Sequence, residues 1–447
     1  MLSVSGSTVA RAVLRCVAER QVYQYHAHRS RLQCPTTTWT RRTRRRPRRV
    51  EFFQGTLEST TEVDTVRIFD TTLRDGEQSP RTSFSYDDKR EIAATLDEMG
   101  THVIEAGFPV NSDAEFEAVN DIAESTSVTT CGLARVVEGD VDAALDAGVE
   151  MVHVFASTSD VQLEDAMHAS REEMKERSVA AVERAKEAGV EVMFSPMDAT
   201  RTDPEYLIDV IEAVSVAGTD WINVPDTCGV ATPTRFGDLI ETVRAHTDAR
   251  IDVHTHDDFG LASANALAGF ESGAEQAQVS VNGIGERAGN AAYEEVVMSA
   301  ESLYNVDTGI DTTRITELAR TVERMSGIET PANKPIVGAN AFSHESGIHA
   351  AGVIENSDTF EPGVMTPEMV GAERELVLGK HTGQHSVRER LVEAGFQPTD
   401  DEVRECTRRV KDFGAEKERV TMDVLTRFAH EVGISQSEQI ARTEADD

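Results

Sequence analysis

The chain has 447 residues, enough for a large core and more than one domain, and a formal net charge of −35. That acidity argues against nucleic acid as a partner, and no apolar run reaches the length of a membrane span. The five cysteines (Cys16, Cys34, Cys131, Cys228 and Cys406) are scattered without a Cys-x-x-Cys spacing, which argues against a disulfide framework or structural zinc site and fits a reducing cytoplasm.

The charge is divided unevenly. Residues 1–50 hold 12 Arg, no Lys, no Asp and one Glu, so the remainder carries a balance of −46. A body that acidic and poor in Lys matches a protein adapted to high salt, where screening removes most self-repulsion. The first segment is rich in Ser, Thr and Arg, ends in the basic run Arg41–Arg49, and is expected to be disordered. The abrupt switch at Val50-Glu51 suggests upstream sequence translated from an early start; an organellar transit peptide is the alternative.

From Thr65 onward, short apolar runs alternate with longer helical patterns. The expected strands are 66–69, 102–106, 128–133, 151–155, 190–194, 220–224, 250–255 and 277–281. Amphipathic stretches such as Tyr86–Met99, Ala114–Glu124 and Glu172–Ala188 lie between them, and Gly100, Gly148, Gly189 and Gly218 mark helix ends. Eight strands alternating with helices predict a (β/α)8 TIM barrel over residues 64–325, followed by a mainly helical C-terminal region at 326–432 and a polar tail at 433–447. An open doubly wound sheet is the alternative, but no Gly-x-Gly-x-x-Gly follows the first strand.

The polar material collects where strands end. The first strand empties into Asp70-Thr-Thr-Leu-Arg-Asp-Gly-Glu-Gln78, the seventh into His254-Thr-His256, and the eighth precedes Gly285-Glu-Arg-Ala-Gly-Asn290. His254 and His256 stand two apart, so both imidazoles project from one face of the strand, the barrel interior. Closing the barrel brings strands one, seven and eight together, placing Asp75, His254, His256 and Asn290 in reach of one ion. Carboxylate, two imidazoles and an amide oxygen suit Mn²⁺, Mg²⁺ or Zn²⁺ rather than a thiolate site. A satisfied polar cluster is the plain alternative.

These three segments together resemble the acyl-CoA-condensing synthases that make 2-isopropylmalate, citramalate and homocitrate, from about Val66 to about Phe428. The resemblance implies Asp75, His254, His256 and Asn290 as metal ligands. It implies Arg74 as the group stabilising alkoxide charge, and Gln78, His153, Ser195 and Thr227 as lining the oxo-acid pocket. It also implies His349, in His344-Glu-Ser-Gly-Ile-His349, as a catalytic His supplied across a homodimer with composite active sites. The substrates implied are acetyl-CoA and a 2-oxo acid, with 2-isopropylmalate synthase first, citramalate synthase next and homocitrate synthase behind. A short form lacking the C-terminal regulatory domain of leucine-controlled members is expected, cytoplasmic and serving branched-chain amino-acid synthesis. An acyl-CoA lyase of the same superfamily or a non-catalytic relative are the competing classes. Two positions depart from the family pattern: Met197 stands where relatives carry a Glu, and Phe360 where they carry a Tyr.

Overall fold

The computed structural model describes residues 65–346, 352, 363–416 and 419–436 of the chain. Eight parallel strands close into a barrel: β1 (Arg67–Asp70), β2 (Val103–Gly107), β3 (Thr129–Arg135), β4 (Met151–Ser157), β5 (Glu191–Met197), β6 (Trp221–Asp226), β7 (Arg250–Thr255) and β8 (Gln276–Val279). Closure is made by β8 against β1, in register from Arg67 opposite Gln276 to Asp70 opposite Val279. Each strand end lies within three residues of its expected position.

A helix follows every strand. In order these are α1 (Tyr86–Glu98), α2 (Asp113–Ser125), α3 (Glu138–Asp146), α4 (Arg171–Glu187), α5 (Pro204–Val216), α6 (Pro233–Arg244), α7 (Ala262–Glu271) and α8 (Tyr293–Ser299), with α9 (Ile315–Ser326) beyond. Ser85 opens α1 in a reciprocal capping box with Asp88, and Ser112 and Ser170 cap α2 and α4. Gly100, Gly148, Gly189 and Gly218 all have positive φ, which stops a helix just before the next strand without strain.

Side-chain parity along the strands builds two cores. The outward residues pack against the helices in one large cluster. Inside the barrel, Phe69, Val103, Cys131, Met151, Met193 and Trp221 supply one buried side chain from each of β1 to β6 and plug the floor. Two residues further along, the same inward face turns polar with Glu105, His153, Ser195 and Asn223, and His254 of β7 joins them. The functional site therefore stands on an apolar plug.

After α9 the chain forms a small parallel ribbon, β9 (Ser343–His344) with β10 (Glu375–Leu376). Three helices follow: α10 (Gln384–Glu393), α11 (Asp400–Ala415) and α12 (Met422–Val432). They bury their own cluster, including Leu391, Phe396, Val410 and Leu425. These helices supply the mainly helical character expected beyond the barrel.

Candidate active site and metal centre

The turn after β1 is shaped by its own side chains. The buried Asp70 carboxylate accepts from Thr72 N (2.9 Å) and Thr72 Oγ1 (2.8 Å), an Asx turn that bends the chain sharply. The Thr71 hydroxyl accepts from Asp75 N at 3.2 Å and donates to Glu105 at 2.6 Å. Arg74 and Asp75 are thereby delivered over the barrel mouth, Asp75 five residues beyond the strand rather than at its end.

Asp75, His254 and His256 converge there, all buried, with their ligand atoms within 4.8 Å of one another. The two Nε2 atoms of His254 and His256 stand 3.1 Å apart, and His254 Nε2 lies 3.8 Å from Asp75 Oδ2. Two imidazole nitrogens bound at right angles to one ion, each about 2.1 Å from it, would be separated by about 3 Å. Asn290 lies eleven residues past Val279 on a loop, not at the end of β8. It reaches the site through an antiparallel bridge to His256. Its Nδ2 donates to Asp75 Oδ1 at 2.9 Å, while its Oδ1 is buried without a hydrogen-bond partner. Gly285 leaves the room: a Cβ there would sit 2.2 Å from Asn290 Nδ2 and 2.9 Å from Asp75 Oδ1. Buried mixed N/O donors, an orphaned amide oxygen and a cleared backbone fit a divalent cation.

The electrostatics agree. Burial alone would raise the Asp75 carboxyl, but the charge of Arg74 and then His254 and His256 carries it well below the usual carboxylate range. Burial, with the neighbouring His256, lowers His254 to about 3, so the ring is neutral and can offer a lone pair. Arg74 donates to Asp75 Oδ2 at 2.6 Å and to Glu105 Oε2 at 2.7 Å. Glu105, fully buried, is opposed by burial but held at about 2 by Arg74 and His153.

A cleft of about 270 Å³ opens beside this centre, lined by Arg74, Asp75, Gln78, His153, Ser195, Thr227, His254 and His256 among the residues expected there. His153 is engaged on both ring nitrogens, with Glu105 Oε1 at 2.7 Å and Ser195 Oγ at 2.6 Å. Thr227 Oγ1 accepts from Asp198 N at 2.9 Å and so buttresses the loop after β5. Met197 lines the cleft beside Leu133, Phe155 and Pro225, which make one wall apolar. Asp198, next to Met197, adopts a left-handed conformation and does not line the cleft. Its carboxylate is taken by Arg201 and Ser159, with contacts of 2.7 Å and 2.5 Å. His349 and Phe360 lie outside the described residues.

Sequence reasoning missed Glu105, Asn223, Asp252 and Gln278. Their signal is legible afterwards: each is a buried polar residue at an inward-facing position of its strand. Glu286 and Arg287, which also line the cleft, sat unremarked within the motif that supplied Asn290.

The family model HMGL-like matches residues 65–322. The chain belongs to the HMGL-like family. A second model, homocitrate synthase post-HMGL domain-like, matches residues 336–418. Among curated relatives, a probable 2-isopropylmalate synthase of Methanopyrus kandleri is 53% identical over 352 residues, covering 78% of this chain and 70% of that one. A 2-isopropylmalate synthase of Methanocaldococcus jannaschii is 45% identical, covering 88% and 78%. A putative (R)-citramalate synthase of M. kandleri is 46% identical, covering 83% and 73%. Among solved structures, the hydroxymethylglutaryl-CoA lyase of Pseudomonas aeruginosa superposes with a TM-score of 0.54 at 26% identity, covering 60% of this chain and 95% of that one.

Proposed function

We propose that this protein condenses acetyl-CoA with a 2-oxo acid and hydrolyses the thioester, with 2-oxoisovalerate as the oxo acid and 2-isopropylmalate as the product. The observation that carries the reading is coverage. Synthases align across the barrel and the region beyond it, whereas the lyase aligns with 60% of the chain and nearly all of its own. A lyase needs the barrel alone.

A divalent ion held by Asp75, His254, His256 and Asn290 supplies Lewis-acid polarisation of a bound keto group. The protein's own residues do the rest. Arg74 is held through Nε and one terminal nitrogen, and its guanidinium is placed to stabilise negative charge on the keto oxygen as the new carbon–carbon bond forms. Thr227 and Gln78 hold the carboxylate end of the oxo acid, and Ser195 lines the pocket beside them. The apolar wall of Leu133, Phe155, Met197 and Pro225 receives the branched alkyl group and keeps water from it. His349 acts as the acid/base group, contributed between the subunits of a homodimer. It removes the acetyl methyl proton, and water then cleaves the thioester to release CoA. Met197 has no proton to move, so His349 carries that task alone. Mn²⁺ or Mg²⁺ in a cytoplasmic enzyme is the preferred setting, and no helix among the described residues is long and apolar enough to cross a membrane.

The test is thiol release from acetyl-CoA by the full chain in high salt with Mn²⁺ or Mg²⁺, adding 2-oxoisovalerate, pyruvate or 2-oxoglutarate in turn. Highest kcat/KM with 2-oxoisovalerate supports the reading. Preference for pyruvate assigns citramalate synthesis instead. Absence of thiol release with all three, in protein that binds Mn²⁺, refutes the condensing function.

A further inference from the structure

Beneath the cleft, a continuous line of hydrogen bonds runs through the barrel interior and passes through one residue that touches neither ion nor cleft. Asp252, fully buried in β7, accepts at Oδ2 from Gln278 Nε2 (2.8 Å) on one side and from Asn223 Nδ2 (2.5 Å) on the other. Gln278 Oε1 in turn faces His254 Nδ1 at 2.8 Å. Asn223 Oδ1 accepts from Ser195 Oγ at 2.7 Å, and Ser195 meets His153 Nε2 at 2.6 Å.

We propose that Asp252 is a positioning residue that fixes the proton arrangement on both sides of the site: the metal-binding tautomer of His254 and the double-donor state of His153. The argument is one of donor and acceptor inventory. An amide side chain can turn end for end at almost no cost in shape, so something must choose its orientation. Asp252 Oδ2 stands as the acceptor to both neighbours while Oδ1 is left unpaired, and with Oδ2 free of a proton both amides turn their NH2 groups toward it.

On the first arm this leaves the Gln278 oxygen facing His254, and Nδ1 must carry the ring proton. Nε2 is then bare, with its lone pair toward Asp75 and His256. A flipped Gln278 would put NH2 against Nδ1, drive the proton to Nε2 and block ligation. Outer partners of this kind set ligand orientation and basicity. On the second arm the Asn223 oxygen takes the single hydroxyl proton of Ser195. Ser195 Oγ can then only accept from His153 Nε2. Glu105 Oε1, 2.7 Å from His153 Nδ1, belongs to a carboxylate held ionised by Arg74 and accepts as well. His153 therefore donates from both nitrogens, anchoring Ser195 and Glu105 rather than abstracting protons. The proposal rests on the metal-centre reading of Asp75, His254 and His256, and is independent of which oxo acid is condensed.

The experiment uses the full chain labelled with ¹⁵N-histidine, metal-free, with ring-proton NMR signals assigned by His153→Ala and His254→Ala. Mn²⁺ affinity is measured in parallel by electron paramagnetic resonance. Expected in the parent are Nδ1–H with bare Nε2 for His254, and two ring protons for His153. Gln278→Met cuts the first arm: Mn²⁺ affinity falls about tenfold or more while the His153 signals stay. Asn223→Leu cuts the second: His153 loses its two-proton pattern and Mn²⁺ affinity stays. Asp252→Ala disturbs both, and Asp252→Asn restores both, because its amide oxygen can take the place of Oδ2. A parent His254 protonated at Nε2 overturns the proposal. So do arm variants that perturb both readouts alike, or a folded Asp252→Ala that changes neither. Should Asp252→Ala not fold, the two arm variants still decide. A parent protein that binds no Mn²⁺ overturns the metal-centre reading itself, a result distinct from any of these.

Discussion

Glu105→Gln should cost both stability and turnover, in amounts the geometry sets. The Glu105 carboxylate is fully buried and receives Arg74 Nε, Thr71 Oγ1 and His153 Nδ1 within 2.7 Å. Its carboxyl is held at about 2 against an ordinary 4.5, which corresponds to ~3 kcal/mol of folded-state stabilisation. Breaking one side of a buried pair costs about 3–5 kcal/mol, the same size. The group's pKa is depressed on folding, so its contribution is complete above about pH 4.5 and fades as pH falls toward 2. A glutamine keeps the shape but must point NH2 at either Arg74 and Thr71 or His153, all of them donors. Urea unfolding at pH 7 should give a variant less stable by about 3 kcal/mol, with nearly the full loss persisting at pH 5. Arg74 loses its second anchor, and kcat for thiol release should fall on the order of 10²-fold, as for loss of a charge-stabilising donor. A variant within 1 kcal/mol of the parent at pH 7, or one with kcat within about threefold, would refute the claim that Glu105 holds Arg74 in place.

Three other outcomes follow from the site. Asp75→Ala should abolish high-affinity Mn²⁺ binding seen by calorimetry, and chelation of the parent should stop thiol release until Mn²⁺ or Mg²⁺ is returned. Gly285→Ala should weaken Mn²⁺ binding, with the circular dichroism spectrum unchanged, because its Cβ would fall within 2.2 Å of Asn290 Nδ2. Met197→Ala should reduce discrimination between 2-oxoisovalerate and pyruvate in kcat/KM by about 1–3 kcal/mol, since it removes part of the apolar wall. Unchanged selectivity would place the alkyl group elsewhere.

Periodicity made the barrel legible. The β/α units repeat an apolar run followed by an amphipathic helix, several of them opened by a serine or aspartate cap and closed by a glycine with positive φ, and these local signals agree with one another. The ligand pair His254 and His256 was legible for a similar reason, because spacing of two in a strand fixes a shared face. Asn290 was less so: its position depends on the irregular loop from Ser280 to Ala291, where Gly283, Gly289 and the left-handed Asn282 and Arg287 set the path. Glu105, Asn223, Asp252 and Gln278 were hidden by context. A polar residue in a strand looks like an edge or a solvent-facing position until closure of the sheet shows that its inward neighbours are equally polar.

That polar layer has a physical rationale. Barrel interiors of this kind are ordinarily filled by branched apolar side chains, which cost no desolvation. Here Glu105, His153, Ser195, Asn223, Asp252 and Gln278 occupy such positions, and each buried polar group is tolerable only when hydrogen-bonded. Their bonds run from one to the next, from Arg74 through Glu105, His153, Ser195, Asn223, Asp252 and Gln278 to His254. Replacing any one by leucine would leave two neighbours unpaired, so the layer resists piecemeal conversion to an apolar core. The line begins and ends on groups that touch Asp75: Arg74 donates to its Oδ2 at 2.6 Å, and His254 lies 3.8 Å from the same oxygen. A barrel needing only stability would have no use for such a loop, whereas one that must hold a cationic side chain and a metal ligand at fixed protonation around one carboxylate requires it.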